Sequence, residues 1–147
     1  MSQVMTIVTD LLLCLLLGWA SASDLRRRTI PNACTLAGSV GFAALAFAGG
    51  PGWPVRLASG LVAFGVLAAI ALARPGSLGM GDAKLAGVIS IALGLLAPAA
   101  LAAGFLSALL TLIPAMARCR LRGVGGLTVA MAPHLSLGAA IVVALVE

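Results

Sequence analysis

Between Lys84 and Arg118 the chain carries no charged side chain. One helix over positions 85–117 would run about 50 Å at 1.5 Å per residue. The hydrocarbon core of a bilayer is about 30 Å thick and is crossed by about 20 apolar residues. The stretch therefore reads as two membrane spans, divided where Gly94 and Pro98 interrupt it. Similar apolar runs fill the rest of the chain. The expected spans are 4–23, 31–48, 55–73, 82–96, 99–117 and 128–146. Arg26, Arg27 and Arg28 end the first, and Pro31 opens the second, where its missing N–H costs nothing. A turn of Gly49, Gly50, Pro51, Gly52 and Pro54 precedes the third, which Arg74, Pro75 and Gly76 end. Only 9% of the residues are charged, against about 25% in a soluble domain. That is too few to cover a water-facing surface, and the loops are too short to hold a soluble domain. The expected fold is all-α: one membrane-embedded domain over 1–147, a polytopic bundle of six transmembrane helices.

The charges give that bundle an orientation. With six spans, Arg26, Arg27, Arg28, Arg74, Lys84, Arg118, Arg120 and Arg122 share one side, and Arg56 alone takes the other. Basic residues accumulate on the cytoplasmic side, so both termini should lie outside. With five spans the last basic cluster would change sides. The first segment does not read as a cleaved signal peptide, because three Arg follow its apolar run and no base precedes it. The clusters are most simply topology signals in contact with anionic lipid. The net charge of +5 is therefore no argument for nucleic acid, and Tyr is absent, so a stacking platform is lacking too. Cys14, Cys34 and Cys119 form no CxxC pair, which leaves no basis for a zinc site or a disulfide framework. Cys14 and Cys34 read as small apolar residues. Small-xxx-small spacings are too common here to mark any one helix interface.

Chemistry must come from few residues. The acids are Asp10, Asp24, Asp82 and Glu147. Glu147 reads as solvated. Asp10 lies about 21 Å from Asp24 along a helix and reads as interfacial at the outer end. His134, after Pro133, reads as interfacial near the outer end of the last helix, far from the other two aspartates. Gly123 to Gly126 has no Walker Lys and reads as a loop. Asp24 ends the first span and Asp82 opens the fourth, both on the cytoplasmic side, so they can meet if those helices pack. Ionisable groups at the membrane edge are costly and tend to be functional. Each could instead cap its helix or pair with a neighbouring base. Asp82 sits in Gly79-Met80-Gly81-Asp82-Ala83-Lys84, where glycines allow backbone conformations closed to other residues and close approach of a substrate. Asp24 is followed by Leu25-Arg26-Arg27-Arg28-Thr29-Ile30-Pro31-Asn32.

A transporter or channel subunit using Asp24 and Asp82 as proton or cation sites is one reading of such acids. It predicts acids near the bilayer midplane in broken helices, and these stand at helix ends. The pattern resembles the type IV prepilin peptidases, membrane aspartyl proteases with a first Asp before Ile-Pro-Asn and a second in GxGDxK. Asp24, Ile30, Pro31 and Asn32 match the first element, and Gly79, Gly81, Asp82 and Lys84 the second. The GxGD element is shared with presenilin-like proteases; the Ile-Pro-Asn and the Lys favour the prepilin branch. The chain lacks the cysteine-bearing cytoplasmic insert of the larger, methylating members and is similar to the small peptidase-only branch of Flp/Tad pilus systems. The resemblance implies an inner-membrane enzyme that needs no metal or cofactor. Asp24 and Asp82 would be its catalytic pair, and its substrate a prepilin or pseudopilin cut on the cytoplasmic side, after a glycine before the hydrophobic segment. Ile30, Pro31, Asn32, Gly79, Gly81 and Lys84 would shape the site; Lys84 could lower the Asp82 pKa, orient substrate or bind lipid phosphate. The helix dipole favours charge on Asp82, at an N-terminus, over Asp24, at a C-terminus, although the three Arg beside Asp24 oppose that assignment. Asp82 is thus expected as the initial base, with the pair titrating as a unit.

Overall fold

A computed structural model describes residues 3–74, 78–122 and 129–146. Pro75, Gly76, Glu147 and the glycines at 123, 125 and 126 lie outside the described residues, as do the side chains of Arg118, Cys119, Arg120 and Arg122. Among the described residues the fold is entirely helical: α1 (Gln3–Arg27), α2 (Asn32–Ala48), α3 (Trp53–Ala73), α4 (Met80–Leu93), α5 (Ala97–Arg122) and α6 (Ala132–Val146). A 3₁₀ turn, Gly94–Leu96, separates α4 from α5. The division expected near Gly94 is therefore present. Gly94 adopts φ +60°, a conformation that a side chain would strain. The Arg56 guanidinium donates to the Ala92 carbonyl at 2.7 Å, satisfying one of the carbonyls left open where α4 ends.

Among the described residues, three helical stretches are long and apolar enough to cross a bilayer: Gln3–Arg27, Trp53–Ala73 and Met80–Met116. Asn32–Ala48 and Ala132–Val146 are apolar but shorter. The surface agrees with a lipid surround. Leu15 (72% exposed), Leu61 (71%) and Leu72 (72%) point outward, and many other large apolar side chains join them. Water would penalise so large an apolar surface; hydrocarbon does not.

α4 is the centre of the bundle. Ala83, Leu85, Ala86, Val88, Ile89 and Ala92 are all buried, whereas α3 buries only Gly60. Close approach depends on glycines, as small residues allow in membranes. A Cβ on Gly60 would meet the Ile91 side chain and, at 3.0 Å, the Gly87 carbonyl. One on Gly138 would run into the backbone of Ala100 and Gly104. Interfaces that composition left anonymous are thus α3–α4 and α5–α6.

Contact order gives the directions. α1 and α6 are antiparallel, with Ser21 bonded to Ser136 at 2.8 Å and Asp24 to Ala132. α3 and α4 are antiparallel through the Arg56–Ala92 and Ser59–Ser90 bonds. α2 and α4 run parallel, Asn32 meeting Lys84 and Gly38 meeting Val88. The C-terminus of α1 and the N-termini of α2, α4 and α6 therefore gather at one end. Some boundaries differ from expectation. α1 continues to Arg27, so Asp24 lies inside its last turn, and α5 continues to Arg122, past the end expected at 117, so the last basic cluster is helical. α6 starts at Ala132 instead of 128.

Candidate active site

The gathered helix ends bring the two aspartates together. Asp24 is 7% exposed, a buried carboxylate at the end of α1. Its Oδ2 accepts the Ala132 N–H at 3.0 Å. Ala132 is the first residue of α6, where helix N–H groups have no partner within the helix. Asp82 is the third residue of α4 and is half-buried. Its Oδ2 accepts the Gly79 N–H at 3.2 Å, as an acid at this helix position does when it reaches back to the cap. Asp82 lies within direct Coulombic reach of Asp24.

The dipole argument for unequal roles loses its footing here. Asp24 does end α1, but its carboxylate docks on the N-terminus of α6. Each aspartate thus faces the positive end of a helix, so α1 alone does not decide where charge rests.

The glycines work differently from expectation. Gly79 has φ −74° and ψ 139°, which any residue adopts, and Gly81 has no positive φ. Their value is the missing Cβ. A Cβ on Gly79 would sit 2.8 Å from Asp82 Oδ2, and one on Gly81 3.3 Å from Ile30 Cβ. Ile30 can therefore lie against α4 beside Asp82. Pro31 is the N-cap of α2, and its carbonyl accepts the Cys34 N–H at 3.0 Å. Asn32 follows, and Lys84 Nζ donates to Asn32 Oδ1 at 2.9 Å. The two sequence elements, fifty-two residues apart, are thus clasped side by side. Lys84 is held by Asn32, and Asn32 by Lys84.

A sharp turn after Asp24 makes this possible. Arg28 adopts φ 53°, and its N–H bonds the Asp24 carbonyl at 2.9 Å, closing α1 with a left-handed residue. Ser23 Oγ donates to the Thr29 carbonyl at 2.9 Å across the turn. Proline can neither take that φ nor donate that bond. Arg28→Pro should therefore cost about 3 kcal/mol or more and abolish accumulation of folded protein, whereas Arg28→Gly, which keeps that φ and that N–H, should still fold. Thermal unfolding in detergent checks both.

Asp10 lies apart, as expected. It lines a cavity of about 550 Å³ with Gln3, Thr9, Arg56 and Leu96 at the far end of the bundle. His134 does not. It stands two residues after Ala132, at the aspartate end, and the expectation of an outer position is corrected: α6 enters from that end. Its Nδ1 is 3.1 Å from Ser107 Oγ and its Nε2 3.3 Å from Thr111 Oγ1. Ala132 escaped sequence reasoning because a backbone N–H has no residue signature. The Ala-Pro pair at a helix start was the available signal.

Apolar helices with two carboxylates drawn together where four helix ends meet define a helical membrane protein with an acid pair at one end. The chain belongs to the type IV leader peptidase family, whose model matches residues 11–116 and so spans both aspartates. Membership makes it a peptidase by family, as the sequence resemblance implied. No curated protein and no solved structure matches the chain.

Proposed function

We propose that the protein is a membrane aspartic endopeptidase that removes the leader peptide of type IV prepilins or prepilin-like proteins. The observation that carries this reading is the placement of Asp24 within Coulombic reach of Asp82, beside the Asn32–Lys84 clasp. Two adjacent carboxylates do not readily ionise together, so the pair shares a proton. The ionised member takes a proton from water. The neutral member gives its proton to the scissile carbonyl oxygen as the hydroxide equivalent adds to the carbon. The gem-diol then collapses, its C–N bond breaking as the leaving amine takes the proton that the other carboxylate had drawn from water. No metal or covalent intermediate enters.

The membrane arrangement belongs to the same proposal. Six crossings place both termini outside and the acid pair at the cytoplasmic face of the inner membrane. The alternating helix directions and the grouping of basic residues support this. The cleaved bond follows a glycine before the hydrophobic segment of the prepilin.

Co-expression with a Flp-type prepilin, scored by its shift on a gel, tests the function. Absence of cleavage by the wild-type chain, or an aspartate-dependent proton flux in its place, overturns it. The clasp has its own test. Asn32→Ala and Lys84→Ala are each expected to slow cleavage about tenfold, and the double variant no more than the slower single one, since they remove one interaction. Cleavage rates of the four proteins give the coupling directly.

A further inference from the structure

The wall of the acid site formed by α6 lies beyond the family match at 11–116, and its position depends on α5. In the first turn of α6, the Met131 carbonyl takes the N–H groups of His134 (3.1 Å) and Leu135 (3.0 Å). Pro133 has no N–H. Ala132 supplies the donor that Asp24 accepts. His134 belongs to that same turn, and its ring bridges two hydroxyls one turn apart on α5. Ser107 Oγ also reaches the Gly104 carbonyl at 2.8 Å, and Thr111 Oγ1 the Ala108 carbonyl at 2.9 Å. Each hydroxyl can give its proton to its carbonyl and accept from the ring, or turn and donate to the ring. The clamp therefore fits the ring whichever nitrogen carries a proton. Below it, Gly104 and Gly138 let the two helices touch backbone to backbone, so a ring held on α5 fixes the height of the α6 N-terminus.

We propose that His134, clamped by Ser107 and Thr111, is a positioning residue that aims the Ala132 N–H at the Asp24 carboxylate. The inference rests on the peptidase reading above. Its effect passes through the placement of a reacting carboxylate, so it enters bond cleavage rather than prepilin binding. A misplacement on the order of 1 Å can cost about a hundredfold in rate.

The test uses the purified full-length chain in detergent with a Flp-type prepilin as substrate. His134→Ala should lower kcat roughly 10- to 100-fold and leave KM within about twofold. The Ser107→Ala/Thr111→Val pair should lower kcat comparably, and adding it to His134→Ala should cause no further loss. His134→Gln should recover part of the rate, because its amide can still reach one hydroxyl. Wild-type kcat in His134→Ala overturns the proposal. So does a loss that merely tracks the fraction of folded protein, or one that multiplies independently with the α5 variants. Failure of the peptidase reading looks different: the wild-type chain does not cleave, or Asp24→Asn cleaves as well as wild type. In that event the Ala132 amide resonance of alanine-labelled protein decides. It shifts in His134→Ala if the clamp aims it and stays in place if the clamp does not.

Discussion

Asp24→Asn is expected to abolish leader cleavage while leaving the protein folded, and Asp82→Asn to do the same. The two substitutions isolate chemistry from architecture. An asparagine at position 24 retains an oxygen that can accept the Ala132 N–H, and one at position 82 can still accept the Gly79 N–H. Neither amide can hold or deliver the shared proton. Acid–base catalysis by a positioned side chain contributes about 10²–10⁴-fold, and each asparagine removes one of its two partners, so each loss should reach at least 10³-fold. Prepilin processing in membranes, with protein level measured in parallel, is the check. Asp24→Ala should differ from Asp24→Asn in one respect. It also strands a buried N–H, at a cost of about 1–3 kcal/mol, so its folded yield should fall as well. Full processing by either asparagine variant would sink the two-carboxylate mechanism.

A large loss of folding stability is also expected from Gly138→Ala. A Cβ at this position collides with the backbone of Ala100 and Gly104, not with a flexible side chain that could swing aside. Relief requires α5 and α6 to separate. Overpacking usually costs about 1–3 kcal/mol, and backbone contact puts this site at or above the upper end. Separation would also lift α6 away from Asp24, so activity should fall further than stability. Gly41→Ala is the control, since nothing lies within 4 Å of its added Cβ. Thermal unfolding of both variants in one detergent decides the matter.

Much of this was legible beforehand, for identifiable reasons. Charge-free runs mark apolar helices strongly, and Gly94 marked the break between α4 and α5 because its φ of +60° favours glycine. Asp24 and Asp82 could be selected because they stand at helix ends beside clusters of charge and turn residues, and Ile30, Pro31 and Asn32 because they complete the motif of the family the chain resembles. The rest depended on tertiary contacts. Gly79 and Gly81 were noticed for backbone freedom as well as for close approach, and only the missing Cβ applies, since sequence shows a glycine but not whether its φ matters. Lys84 was assigned several roles, and only the packing of α2 on α4 showed its bond to Asn32. His134 was misplaced at the outer end, although a last span over 128–146 with its C-terminus outside already puts position 134 nearer the aspartate side. Ala132 was invisible, since what it contributes is common to nearly every residue.

One contact also bears on when such a protein becomes competent during its synthesis. Asp24 and the Ala132 N–H that it accepts are separated by 108 positions. The ribosome delivers Asp24 well before α6. Until α6 has entered the membrane, the first aspartate lacks that partner, even though Asp82 and the Asn32–Lys84 clasp can already have formed. Full support of Asp24 is thereby tied to the synthesis of α6, and a nascent or truncated protein lacking α6 should insert without gaining activity.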